Sequence, residues 1–123
     1  MHIAFDPASP IDDEATFEEF VKLDIRAGTI LSASPLKKAR KPAYVLEIDF
    51  GSGIGVLKSS AQITQKYSAE GLISRQVLAV VNFPPRQIGN VISDVLVLGC
   101  ADENGEITLV VPDQALPNGA RLS

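Results

Sequence analysis

Residues 56–81 read VLKSSAQITQKYSAEGLISRQVLAVV, and the order of patterns in this stretch decides the fold class. The stretch VLKSS is strand-like. AQITQKYSAEGL reads as a short helix or helical turn, capped by Ser60 or Thr64 and ended near Gly71. RQVLAVV is again a strand, apolar without a break from Val77 to Val81. One short helix therefore lies between two short strands.

Upstream, KLDIRAGTILSASPL predicts a long first strand in which Leu23, Ile25 and Ala27 alternate with charged residues, with Gly28 as the place for a bend or bulge. AYVLEIDFG alternates Leu46, Ile48 and Phe50 against Glu47 and Asp49. The FGSGIG that follows has the glycines a hairpin turn needs. Downstream, VISDVLVLG predicts a fifth strand, and ADENGEITLVVPDQ a hairpin turning at Asn104-Gly105. LPNGARLS adds a second Asn-Gly turn. Five strands with a helix between the third and fourth fit an all-β protein with a five-stranded OB-fold barrel and a C-terminal hairpin extension. The order alone does not separate this barrel from other small barrels.

Thr16 and Glu19 have the spacing of a capping box, so a short N-terminal helix with Phe17, Phe20 and Val21 on one face is expected. Residues 1–20 form an acidic tail and helix, and residues 21–123 the barrel domain. With two prolines and little periodicity, residues 1–12 are expected to be loose and dispensable for folding.

The chain has 123 residues, sized for one domain, and a net charge of −4. Residues 1–20 carry six acids and no Lys or Arg, residues 22–94 carry ten Lys or Arg against five acids, and residues 95–123 are acidic again. The middle permits anion binding without demanding it. Cys100 is the only cysteine, so an internal disulfide is excluded, and it is expected to be a small buried hydrophobe. No apolar run reaches the ~20 residues of a membrane span, and the N-terminus lacks a secretory pattern. A cytoplasmic location with no membrane insertion is expected.

His2, the only histidine, stands in the tail, so a His-based triad or a zinc site is not expected. No phosphate loop of the P-loop or Rossmann type is present. The chain is read as a non-enzyme without cofactor or metal. The binding candidates lie at strand ends. Lys58, Ser59, Ser60 and Gln62 close the third strand, and Asn82, Phe83 and Arg86 follow the fourth around Pro84-Pro85. The prolines fix two φ angles, which holds the flanking side chains at low entropic cost. The plainer reading is a turn that ends a strand. Lys37, Lys38, Arg40 and Lys41 form a basic loop, either simply solvated or contacting an anion; without an interleaved aromatic it is not a base-stacking platform.

Taken together, LDIRAGTI, IDFGSGIGVLKSSAQIT and VLAVVNFPPRQIGNVISDVLVLG resemble the tRNA-binding OB-domain family, and within it the CsaA branch of bacterial export-associated chaperones. The resemblance runs from about Val21 through PDQALPNGARL. It implies an OB-fold homodimer without catalytic activity that binds unfolded or export-destined polypeptides (preproteins), with structure-selective tRNA binding as the alternative. Asn82, Arg86 and Ser93 match the wider family's RNA-facing Asn, basic residue and Ser. Where that family commonly reads Ser-x-Gly-Met, this chain reads Ser93-Asp94-Val95-Leu96, and the acid favours the chaperone branch. A structural interaction domain with neither activity is the third reading. The apolar residues Val95–Leu98, Ile107–Val111, Ala115 and Leu116 are expected to supply the dimer surface.

Overall fold

The capping and alternation patterns take shape in a computed structural model that describes residues 2–123. In chain order its elements are α1 (Phe17–Lys22), β1 (Ile25–Pro35), β2 (Tyr44–Asp49), β3 (Val56–Ala61), α2 (Ala69–Leu72), β4 (Gln76–Val80), β5 (Arg86–Ile88), β6 (Val91–Ser93), β7 (Leu96–Val97), β8 (Gly99–Ala101) and β9 (Ile107–Leu109). Five strands form one antiparallel sheet in the order β3-β2-β1-β4-β7, curled into a nearly closed barrel of OB type. Two hairpins, β5–β6 and β8–β9, stand beside it.

The length of β1 makes the barrel possible. Its first half, Ile25–Thr29, pairs with β4, and its second half, Thr29–Pro35, pairs with β2. The C-terminal segment fills the edge that β2 leaves open. The Ala27 amide donates to the Ala120 carbonyl, and the Gly119 and Leu122 amides donate back to Ala27 and Ile25. The register irregularity falls between Ile30 and Ser32, at Leu31, and not at Gly28 as expected. Gly28 answers a different need. A Cβ there would stand 2.6 Å from Ile48 Cγ2 and 2.7 Å from the Phe50 ring, so glycine lets β2 and the barrel interior approach β1.

The alternation in β2 puts Leu46 and Ile48 inward, and Phe50, Ile63, Leu72, Val77 and Val97 join them in the core. Each such side chain stabilises the fold by about 1.5–3 kcal/mol relative to exposure. The helix between the third and fourth strands is there, but it is one turn long and capped by Ser68, whose hydroxyl accepts from the Gly71 amide at 3.0 Å. Neither Ser60 nor Thr64 caps it. Ser60 belongs to β3, and the chain from Gln62 to Tyr67 is non-helical. Leu72 is the side chain α2 commits to the barrel.

The capping box of α1 forms as expected. The Thr16 hydroxyl accepts from the Glu19 amide at 3.2 Å, and the Glu19 carboxylate accepts from the Thr16 amide at 3.1 Å. No residue of α1 is buried, however, and Phe17 and Val21 stay exposed. The hairpin at Asn104-Gly105 forms between β8 and β9. Cys100 is exposed, contrary to expectation, because it alternates outward between Gly99 and Ala101. The expected fifth strand is broken into β6 and β7 by Asp94 and Val95. Val95, Val97, Ile107 and Leu109, read as a dimer surface, are buried in the barrel instead. No helix among the described residues is long and apolar enough to cross a membrane.

Candidate ligand groove

The barrel closes between β3 and the Ser93–Val95 segment, and side chains complete the ladder there. The Asp94 amide donates to the Lys58 carbonyl at 2.8 Å, and the Lys58 amide donates to the Asp94 carboxylate at 3.0 Å. The Ser60 amide donates to the Ser93 hydroxyl at 2.9 Å, and the Ser59 hydroxyl donates to the Val95 carbonyl at 3.2 Å. Ser59, Ser60 and Ser93 are buried, and the Ser59 and Ser93 hydroxyls are engaged in the seam. Lys58 stays exposed and Gln62 half-buried.

The segment after β4 divides its work. Asn82 turns toward α1: its carbonyl oxygen accepts from the Asp24 amide at 2.9 Å and its amide donates to the Lys22 carbonyl at 2.8 Å. It fastens the α1–β1 junction to the end of β4. Phe83, Pro84 and Pro85 run outward, and Arg86 begins β5 opposite Ser93. Sequence reasoning missed β5, since two prolines directly before it mask a three-residue strand.

A groove of about 490 Å³ opens under this hairpin. Its apolar lining is Phe83, Pro84, Pro85, Ile88, Val95 and Leu96, together with Ile3. Arg86, Ser93 and Asp94 supply its polar margin. Phe83 is 40% exposed, an aromatic face open to a ligand. Of the expected site residues, Phe83, Arg86 and Ser93 meet here. Ile88, Asp94 and Leu96 were not among them. Ile3 belongs to the part of the chain expected to be loose, and the apolar run Ile3-Ala4-Phe5 is the signal for it.

The basic loop is brought to the same end of the molecule. At the tip of the β5–β6 hairpin, Gly89 has φ 59°, and a Cβ there would lie 2.9 Å from the Lys38 carbonyl oxygen. Glycine permits both the left-handed turn and the contact. Lys37, Lys38, Arg40 and Lys41 are all exposed. The backbone of the basic loop thus meets the tip of the hairpin whose Arg86 and Ile88 line the groove. No group of three or more His, Cys, Asp or Glu among the described residues could hold a metal ion.

A second apolar surface lies at the α1 region, where Phe17, Phe20, Val21 and Leu23 border a concavity of about 460 Å³ with Arg121 and Leu122.

Residues 25–121 match a family model described as "Putative tRNA binding domain". The chaperone CsaA of Bacillus anthracis superimposes with a TM-score of 0.85 at 50% identity, covering 90% of this chain and all of that one. The CsaA chaperone protein of Picrophilus torridus does so with a TM-score of 0.83 at 48% identity, covering 89% of this chain and all of that one. A methionine–tRNA ligase of Flavobacterium johnsoniae is 36% identical over 94% of this chain, which spans only 16% of that enzyme's length.

Proposed function

The chain belongs to the tRNA-binding domain family and, within it, to the CsaA type, and from that premise we propose that it is a chaperone for unfolded or export-destined polypeptides. The observation that carries this reading is the groove beside Phe83. Its walls are apolar and conformationally stiff, which suits side chains exposed by an unfolded chain. Pro84 and Pro85 preorganise one wall, so little entropy is lost on binding. Arg86 and Asp94 at the margin can pair with backbone carbonyl and amide groups of an extended segment. The protein works by binding alone, in the cytoplasm, without catalysis.

Self-association is part of the proposal. Phe17, Val21, Leu23 and Leu122 are exposed together, and a two-fold contact between copies would bury them. Phe17→Glu with Leu122→Glu should then lower the mass seen by light scattering to that of a monomer. An unchanged mass would remove this surface from the proposal.

The contact between the Gly89 turn and the Lys38 loop favours a second reading, tRNA binding through phosphate contacts. Salt separates the two. Binding of a permanently unfolded polypeptide should change little between 50 and ~200 mM salt, whereas tRNA binding should fall steeply through counterion release. Tight tRNA binding at the higher salt, with no polypeptide binding at either, would reverse the assignment.

A further inference from the structure

Residues 2 and 3 lie outside the span 25–121 that matches the family model, yet they are docked at the groove. The His2 Nε2 lies 2.9 Å from the Val97 carbonyl oxygen, next to the Leu96 that forms a groove wall. Nε2 therefore carries the proton and donates it, and Nδ1 is deprotonated and buried without a partner among the described residues. His2 is half-buried, whereas residues 3–19 are exposed. Ile3 follows directly and contributes to the groove's lining while remaining 65% exposed. With most of its surface still in solvent, it does not plug the groove. A segment held by one hydrogen bond and a partly covered isoleucine is easily released.

We propose that residues 2–5 are a built-in strap that covers part of the groove and competes with its ligand. An apolar ligand segment needs the wall that Ile3 touches, so it binds the released form, and the docked fraction reduces its apparent affinity. One net hydrogen bond and partial burial of Ile3 correspond to a docked form favoured roughly 3–10-fold. The acidic residues that follow, Asp6, Asp12, Asp13 and Glu14, travel with the strap. The identity of the competing ligand rests on the chaperone reading; the docking itself does not.

The test uses the full chain, Ile3→Ser and Phe83→Ser, alone and combined. Nuclear Overhauser contacts from the Ile3 methyls to Leu96 and the Phe83 ring are expected in the full chain. Ile3→Ser should increase the affinity for the apolar dye anilinonaphthalene sulfonate by about 3–10-fold, with no gain in the Phe83→Ser background. A carboxymethylated, permanently unfolded polypeptide should gain affinity by the same factor. Absence of the Ile3 contacts, or equal dye affinity with and without Ile3, would overturn the strap. Dye and contacts as expected, with no polypeptide bound by any variant, would leave the strap standing and overturn the chaperone reading.

Discussion

Asp94 and Lys58 exchange two hydrogen bonds across the seam of the barrel: the Lys58 amide donates to the Asp94 carboxylate at 3.0 Å, and the Asp94 amide donates to the Lys58 carbonyl at 2.8 Å. The side chain of Asp94 thus does what a backbone carbonyl would do in a regular ladder, at the point where β6 and β7 are interrupted. Asp94, the acid that follows Ser93, has a structural use here. Asp94→Ala should destabilise the protein by about 1–2 kcal/mol, because the Lys58 amide loses a charge-assisted acceptor. Asp94→Asn, which keeps an acceptor oxygen, should cost less. Urea denaturation of the three proteins checks the order, and equal midpoints would show that the seam does not depend on this carboxylate.

Gly28→Ala places a methyl where Ile48 and Phe50 already stand, at 2.6 and 2.7 Å. Both neighbours are fully buried and cannot yield without disturbing the core. A loss of about 1–3 kcal/mol is expected. A melting temperature equal to the wild type's would mean that β1 and β2 can separate there at no cost.

The sequence pattern places Asn82 among recognition residues, but its side-chain amide is spent on Asp24 and Lys22. Asn82→Ala should therefore lower stability by roughly 1–2 kcal/mol, since two backbone groups lose partners. Any loss of ligand binding should follow the loosening of α1. If tRNA or polypeptide binding falls sharply while the unfolding midpoint stays fixed, Asn82 contacts the ligand directly.

The barrel was legible because its evidence is local. Alternation in residues 44–49, the short insertion before Gln76 and the Asn104-Gly105 turn each follow from side-chain period or turn chemistry. Long-range relations were not. Nothing adjacent to Ser59 or Ser93 in sequence says that their hydroxyls bond to backbone groups some 33 to 36 residues away. Polar residues at strand ends look the same whether they face a ligand or a seam. The apolar run after Val95 was ambiguous in the same way, since a core strand and a dimer surface share one composition. Leu31 carries no glycine to mark the bulge, while Gly28, which looked like one, serves packing.

His2 supplies a pH dependence. Burial holds its ring below the ordinary value of 6.5, and the hydrogen bond to the Val97 carbonyl opposes this only in part. A group with a lowered pKa in the docked state stabilises docking fully above the undocked pKa. That contribution is lost as pH falls from about 6.5 through the docked value. An NMR titration of the His2 ring should give a midpoint below 6.5 in the native protein and near 6.5 in urea. A native midpoint at or above 6.5 would show that the imidazolium is accepted at this position.

Arg86 weighs the two functions against each other. It is exposed, it begins β5, and it stands at the margin of the groove at the end where Gly89 touches the basic loop. If the ligand is tRNA, its guanidinium meets phosphate or stacks on a base. Arg86→Ala should then weaken binding by roughly 1–3 kcal/mol and make the dependence on salt shallower by about one ion. If the ligand is an unfolded polypeptide, Phe83, Ile88 and Leu96 carry the contact, and Arg86 adds its stem and hydrogen bonds at the rim. The cost should then stay below about 1 kcal/mol, with little response to salt. The apolar lining of the groove and the Asp94 carboxylate beside it favour the second outcome. Binding isotherms for both ligands at two salt concentrations, with wild type and Arg86→Ala, decide it. Tight wild-type binding of tRNA that disappears in the variant while polypeptide binding persists would assign this end of the barrel to RNA.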